Sequence, residues 1–540
     1  MPCRPGRTPL RRRCAAAALA AVLALQAGAA WPQVRLPSLG ESASADLSVG
    51  AEKRLGDQIM REARRDPLYL DDPVLLEYLQ SIWQPLVAAG KRAGHIDGDT
   101  EHTFAWEAFL VKDRSVNAFA LPGGYVGMHL GLMAITTTPD QLASVLAHEL
   151  THVTQRHIAR SIAPQQQASL VAIAAMLLGV IAASRANNAD IANAAIMGGQ
   201  GAAVQSQLNF SRDMEREADR IGYGLLADAG FSPAGMAAMF ERMDMATRLN
   251  DNGGFPYLRS HPLTVDRISE ARNRTMLADG NAAREPSVLH AMMQMRARAL
   301  MDESQAALSR LNGQTSSPVL ADRIGALYGG ALAASMQRDH ERAERQVTLA
   351  LQLAATARPR QAAAERVLRL LQAQVLLARG DAAGALQALD FIAGSAADAG
   401  RPGLLLRAQA ALAARQASPG GDAHAGPLRA STEALQTWLA EHPNDGAAWE
   451  LLAGTADALG LKLRAMRAGA EARAVVGDLT GAIDRLRAAQ SVARTPQAQD
   501  FIEASVIDAR LRQLTALRRQ LALDARGEGR GGPRDEPPPQ

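Results

Sequence analysis

His148-Glu149-Leu150-Thr151-His152 is the stretch on which the reading of this chain turns. On a helix, residues four apart lie one turn above each other on the same face. The imidazoles of His148 and His152 then stand side by side and can share one metal ion, with the Glu149 carboxylate within reach of a water there. HExxH on a helix is the two-ligand half of a zinc peptidase site together with its general base. With 11 His in 540 residues, the pattern arises by chance in roughly one such chain in a hundred. The flanks support a helix. Thr138-Pro139-Asp140-Gln141 places an N-cap Thr, a Pro at the first helical position, an acid in the first turn and a Gln at the capping-box position. Leu142, Val145, Leu146, Leu150 and Val153 follow as an apolar stripe. The helix is expected to run to about Ile162, before Pro164.

Such a motif needs a third ligand. In one large class this is a His six residues after the second, with a Gly between. Here those places hold Ile158 and Gln155, so that class is excluded, and His157, one place short, reads as a surface or packing histidine. The alternative is a Glu from a later helix. Ser211-Arg212-Asp213-Met214-Glu215-Arg216-Glu217-Ala218-Asp219 supplies it. Glu215 and Asp219 share a helical face. Glu215 completes a His₂Glu set, and Asp219 is placed to accept a hydrogen bond from the far nitrogen of a ligating His. Glu217 points elsewhere.

The length implies two domains plus appendages. Scarce aromatic residues and abundant Ala favour packed helices over an all-β fold. Residues 1–30 read as a cleaved export signal. Arg4, Arg7, Arg11, Arg12 and Arg13 precede an apolar run from Ala15 to Leu25, and Ala27-Gly28-Ala29 offers a cleavage site. Both cysteines, Cys3 and Cys14, lie within it, so the mature chain has no thiol. Taking five arginines and no acid from a net charge of +3 leaves −2. The chain therefore has no electrostatic case for binding nucleic acid.

Residues 31–48 read as an extended lead-in and 49–94 as two amphipathic helices. Three strands follow, at Phe104–Val111, Ser115–Ala120 and Tyr125–Met128, with Leu121-Pro122-Gly123-Gly124 as a turn. They are expected to form a small antiparallel sheet. Its edge, Asn117, Ala118, Phe119 and Ala120, is the candidate substrate-binding strand, because an edge can pair with an extended peptide. Ala168 to Ala183 is a nearly unbroken apolar stretch, read as a lid or buried helix, with membrane-surface contact as the alternative. Residues 184–207 read as a mobile segment. From 285 to 525 the chain is Ala- and Leu-rich helix with recurring marks. Arg338-Asp339 precedes Ala343 and Val347, Gly380-Asp381 precedes Ala385 and Leu389, and Gly477-Asp478 precedes Ala482 and Leu486. With Trp449-Glu450-Leu451-Leu452-Ala453, these suggest degenerate tetratricopeptide-like repeats whose concave face binds other polypeptides. Residues 417–427 read as a loop insertion and 526–540 as a disordered tail. The expected architecture is mostly α: a zincin-type α+β metallopeptidase domain over 49–284, then a helical solenoid.

The HExxH motif followed by Ser211-Arg212, Glu215 and Ala218-Asp219 resembles the metallopeptidase family that includes HtpX and the CAAX prenyl endopeptidases. The hairpin Asn117-Ala118-Phe119-Ala120-Leu121-Pro122-Gly123-Gly124 is similar to it too. With the signal and the helical half, the likeness extends to its BepA-like periplasmic members. The resemblance implies one Zn²⁺ per chain and an endopeptidase in the quality control and assembly of outer-membrane β-barrel proteins, with unfolded or stalled clients and their assembly machinery as partners. It also implies roles for Ser260-His261-Pro262 and Arg267: His261 as a fourth zinc ligand that silences the site, and Arg267 as a residue near the reaction centre. Two other readings remain: a chaperone or adaptor whose zinc site stays closed, and an HtpX-like membrane protease if Ala168 to Ala183 spans the bilayer. The intact Glu149 beside both His favours catalysis.

Overall fold

The computed structural model describes residues 47–161, 211–249, 255–277, 286–392, 400–418, 425–494 and 500–528. The expected signal, most of the lead-in, the apolar stretch Ala168 to Ala183, the 184–207 segment and residues 529–540 lie outside the described residues. The described chain opens with α1 (Val49–Ala63), β1 (Tyr69–Leu70), α2 (Pro73–Arg92) and α3 (Gly98–Thr103). Then come β2 (Glu107–Val111), β3 (Ala118–Leu121), β4 (Tyr125–His129), α4 (Leu130–Ile135), α5 (Pro139–Thr154) and α6 (His157–Ser161). After the undescribed stretch follow α7 (Arg212–Asp228), α8 (Ala234–Leu249), α9 (Tyr257–Ser260) and α10 (Val265–Leu277).

The sheet is mixed, not antiparallel as expected. Its order is β1-β2-β4-β3, with β2 and β4 parallel and the outer pairs antiparallel. β3 and β4 form the expected hairpin, whose turn uses Gly123 (φ 77°) and Gly124 (φ 90°). β4, buried along its whole length, takes the interior place and leaves β3 at an edge. Alternation then sorts the side chains. Phe109, Val111, Leu121 and Tyr125 pack under α1 with Leu55, Ile59 and Met60. Ala108, Leu110, Ala118, Ala120, Val126 and Met128 join the main core with α2 and α5. Gly127 sits where a Cβ would meet the rings of Phe119 at 2.4 Å and Phe109 at 2.9 Å, so the small residue admits both.

α5 begins as its sequence announces: Thr138 Oγ1 accepts from Gln141 N–H (3.2 Å), and Gln141 Oε1 accepts from Thr137 N–H (2.8 Å). It ends earlier than expected. The chain breaks at Arg156 (φ 52°) and restarts as α6. A left-handed backbone is uncommon for a non-glycine residue. Here the Arg156 side chain secures it, donating from Nε to Glu52 Oε2 (2.8 Å) and from Nη2 to the Leu47 carbonyl.

The second half is a run of helices: α11 (Val288–Met301), α12 (Gln305–Arg310), α13 (Leu320–Met336), α14 (His340–Thr356), α15 (Ala362–Ala378), α16 (Ala382–Asp390), α17 (Gly400–Ala417), α18 (Ala425–Glu441), α19 (Gly446–Ala458), α20 (Lys462–Val475), α21 (Leu479–Ala493) and α22 (Phe501–Glu528). From α13 to α22 each helix packs on the next in sequence. The recurring marks are the turns between paired helices. Arg338, Gly380 and Gly477 have positive φ, and the Asp that follows each caps the next helix through its carboxylate. Ala343, Val347, Ala385, Leu389, Ala482 and Leu486 are buried in the seams, as the spacing predicts. Two boundaries shift: α18 starts within the expected loop at Ala425, and α22 runs to Glu528. The main core also crosses the boundary expected near 284, since Met292, Ile324, Tyr328 and Leu371 share one cluster with Leu79 and Leu146. Among the described residues, no helix is long and apolar enough to cross a membrane.

Candidate metal centre

α5 and α7 build the centre. Glu215, Ala218, Asp219 and Gly222 recur every three or four residues on α7 and so face one way. At Gly222 a Cβ would stand 3.3 Å from the backbone of Ala147 and His148, tighter than ordinary contact. The glycine thus lets α7 approach the turn of α5 that carries the histidines. Gly222→Val is expected to push the helices apart, costing about 1–3 kcal/mol in overpacking and lowering zinc affinity; chemical denaturation and a zinc titration check this.

His148, Glu149, His152, Glu215 and His261 are each 3% exposed or less. Nε2 of His148 and Nε2 of His152 are 3.0 Å apart. Glu215 places Oε2 3.5 Å from the first and Oε1 3.5 Å from the second. Pro262 disfavours the helical conformation for the residue before it. α9 accordingly ends at Ser260, and His261 turns into the centre. Its Nδ1 lies 2.9 Å from Glu215 Oε1 and 3.3 Å from His148 Nε2. The four ligand atoms all fall within 4.8 Å of one another. A tetrahedral zinc ion with bonds of about 2.05 Å requires ligand atoms about 3.3 Å apart. The spacings seen match that, and the His₃Glu donor set suits zinc. Glu215 Oε2 is buried and stands 2.7 Å from Arg267 Nη1, so the carboxylate is held as an anion beside the histidines.

Asp219 stands where its spacing placed it. His148 Nδ1 is 3.0 Å from Asp219 Oδ1. The carboxylate only accepts, so a proton sits on Nδ1 and Nε2 is the nitrogen that would bind an ion. Arg267 is fully committed nearby. It donates from Nε to Asp219 Oδ2 (2.7 Å), from Nη2 to Asp219 Oδ1 (2.8 Å) and from Nη1 to the Pro262 carbonyl (3.0 Å), with Nη1 2.7 Å from Glu215 Oε2. It ties α7 to the His261 loop. Burial disfavours a charge on His148, yet Glu215 and Asp219 carry its pKa up to about 10. Glu215 is held well below the usual carboxylate range, against burial, by His261 and His148. Burial, with His148 and His261 as neighbours, keeps His152 well below the ordinary imidazole value.

Residues 77–275 match Peptidase family M48. Metalloprotease LoiP of Escherichia coli is 30% identical over 235 residues, 43% of this chain and 84% of LoiP. The chain belongs to peptidase family M48. Within it, the chain is similar to the putative β-barrel assembly-enhancing protease of Vibrio cholerae, 40% identical over 244 residues, 45% of this chain and 47% of that protein. The match to the β-barrel assembly-enhancing protease of Yersinia pestis is 28% identical over 484 residues, 89% of this chain and 92% of that protein. The chain thus spans about half the length of the Vibrio relative and nearly all of the Yersinia one.

Three residues of this M48 site escaped the sequence reading. His157, read as a surface or packing histidine, is wholly buried beside His152, and Glu217 meets it. Burial pushes the His157 imidazole down to about 4. Tyr257 stacks on His261 with centroids 4.6 Å apart, and its N–H donates to the Val116 carbonyl (3.3 Å) beside the β3 edge. Each is remote in sequence or displaced by the helix break, so helical spacing carries no sign of it. The candidate substrate strand is correctly an edge, but Ala118 and Ala120 face the main core and Phe119 packs on Phe109.

Proposed function

We propose that this protein is a zinc-dependent endopeptidase of the periplasm that acts in the quality control and assembly of outer-membrane β-barrel proteins, with those proteins as clients and their assembly machinery as partner. The observation that carries the reading is the buried cluster of His148, His152, Glu215 and His261 with Glu149 against it. His148, His152 and Glu215 would hold the ion, which would supply Lewis acidity and lower the pKa of a water at the centre. Glu149 is the general base: it takes the proton of the attacking water and returns it to the leaving amine. Asp219 and Arg267 position rather than react. Asp219 holds the His148 tautomer, and Arg267 spends its nitrogens on Asp219, Glu215 and Pro262. The edge of β3, from Asn117 to Ala120, aligns the peptide backbone. The client class rests on the names of the Vibrio and Yersinia relatives, and the periplasmic location on the expected signal. The helical repeats would recruit clients.

The adaptor reading gains one observation: His261 fills the fourth position, and its Nε2 stands 3.6 Å from Glu149 Oε1. We read this as a closed resting state of the enzyme. If the open form is about 10% populated or less, His261→Ala should raise basal cleavage of an unstructured protein by about tenfold or more, because activity scales with the competent fraction. Zinc should remain on the other three ligands. Cleavage at the wild-type rate, with zinc retained, would argue against gating by His261.

A further inference from the structure

The imidazole of His157 is buried and meets a ligand histidine nitrogen to nitrogen. Its Nδ1 lies 2.9 Å from Nδ1 of His152, and its Nε2 lies 3.1 Å from Glu217 Oε2. Arg160 Nη1 donates to the same carboxylate oxygen at 3.1 Å. Two ring nitrogens at this distance share one proton. An ionised carboxylate can only accept, so His157 Nε2 carries hydrogen toward Glu217. Neutral His157 then has its lone pair at Nδ1, and the shared proton belongs to His152. A neutral His152 with hydrogen on Nδ1 has its lone pair on Nε2, the atom 3.0 Å from His148 Nε2 and 3.5 Å from Glu215 Oε1.

We propose that His157, set by Glu217, is a positioning residue for the metal: it fixes the tautomer and ring orientation of His152, as Asp219 does for His148. The two ligand histidines are then served by parallel devices, a carboxylate backed by an arginine: Asp219 with Arg267, and Glu217 with Arg160 through the His157 ring. Glu215, Glu217 and Asp219 all come from α7, which supplies one ligand and both supporting carboxylates. Glu217 lies about 200° around the helix from Glu215, so it cannot reach the centre itself; the interposed imidazole spans the gap. The Arg156 break makes this possible. An uninterrupted α5 would carry residue 157 about 140° around from residue 152, whereas the left-handed turn, held by Glu52 and Leu47, brings the ring back against His152.

The inference rests on His148, His152 and Glu215 being ligands, and its test separates the two ideas. Zinc affinity of the full chain is measured by competition with a chromophoric chelator for wild type, His152→Ala, His157→Phe, His157→Gln and Glu217→Ala, with thermal unfolding of each zinc-free protein alongside. Supporting partners of metal ligands typically govern affinity by 10–100-fold. His157→Phe, which keeps the ring volume but cannot accept, should weaken binding by about that factor. His157→Gln, whose amide oxygen can accept, should recover most of it, and Glu217→Ala should weaken binding about tenfold. A packing role predicts the reverse order, Phe tolerated and Gln not. Wild-type affinity in His157→Phe overturns the proposal, as does wild-type affinity in Glu217→Ala should the Phe variant not fold. Wild-type affinity in His152→Ala would instead overturn the ligand assignment beneath it.

Discussion

Glu149→Gln is expected to abolish peptide cleavage while leaving the metal in place. Positioned general bases contribute about 10²–10⁴-fold, so the rate should fall by that factor when compared within a His261→Ala background, where the proposed block by His261 is removed. The change is nearly isosteric and Glu149 is not among the clustered ligands, so zinc stoichiometry should hold. The present carboxylate is wholly buried and neither oxygen makes a hydrogen bond. Burying such a group costs stability, and a neutral amide costs less. The variant should therefore melt no lower than its parent. Loss of cleavage together with a lower melting temperature would point to misfolding, and cleavage at the parental rate would remove Glu149 from the chemistry.

The second large effect lies far from the centre. Arg296 on α11 is buried and grips Asp72 with two bonds, Nε to Oδ1 at 2.8 Å and Nη2 to Oδ2 at 2.7 Å, while Nη1 donates to the Tyr328 hydroxyl at 2.9 Å. Asp72 also caps α2, accepting from Leu75 N–H. One pair thus joins the start of α2 to the first helices of the second half. Arg401 on Asp71 and Arg366 on Glu77 add more exposed contacts to the same helix, each worth little alone. Arg296→Ala leaves the Asp72 carboxylate buried without its partner, a change that costs about 3–5 kcal/mol. Pairing Arg296→Met with Asp72→Asn, which keeps the cap and removes the stranded charge, should regain much of the loss. Denaturant unfolding followed by tryptophan fluorescence measures both. A loss under about 1 kcal/mol for Arg296→Ala would show that the joint is held by apolar packing instead.

These two sites differ in how far the sequence announced them. Glu149 was legible because HExxH is a statement about one turn of one helix. Asp72 was unremarkable, because its partner lies 224 residues away. The same division runs through the metal centre. Glu215 and Asp219 could be paired by spacing on α7, while Arg267 looked like a group near the reaction and proved to be bound up with Asp219, Glu215 and Pro262. His157 is buried, as the packing branch of its reading allowed, but its contact with His152 depends on the break at Arg156, which the sequence did not announce.

What this sequence determined by itself is whatever one helical or extended segment decides alone: the cap at Thr138, the turns at Asp339, Asp381 and Asp478, the shared face of His148 and His152, the shared face of Glu215 and Asp219, and the hairpin of β3 and β4. Backbone geometry repeats every few residues, so a pattern of side chains records it directly. The parallel pairing of β2 with β4, the turn at Arg156 that delivers His157, the approach of His261 to Glu215 and His148 and the grip of Arg296 on Asp72 were decided only by the tertiary structure. Each depends on which distant surfaces bury one another, and that follows from the packing of the whole core, which no local spacing encodes.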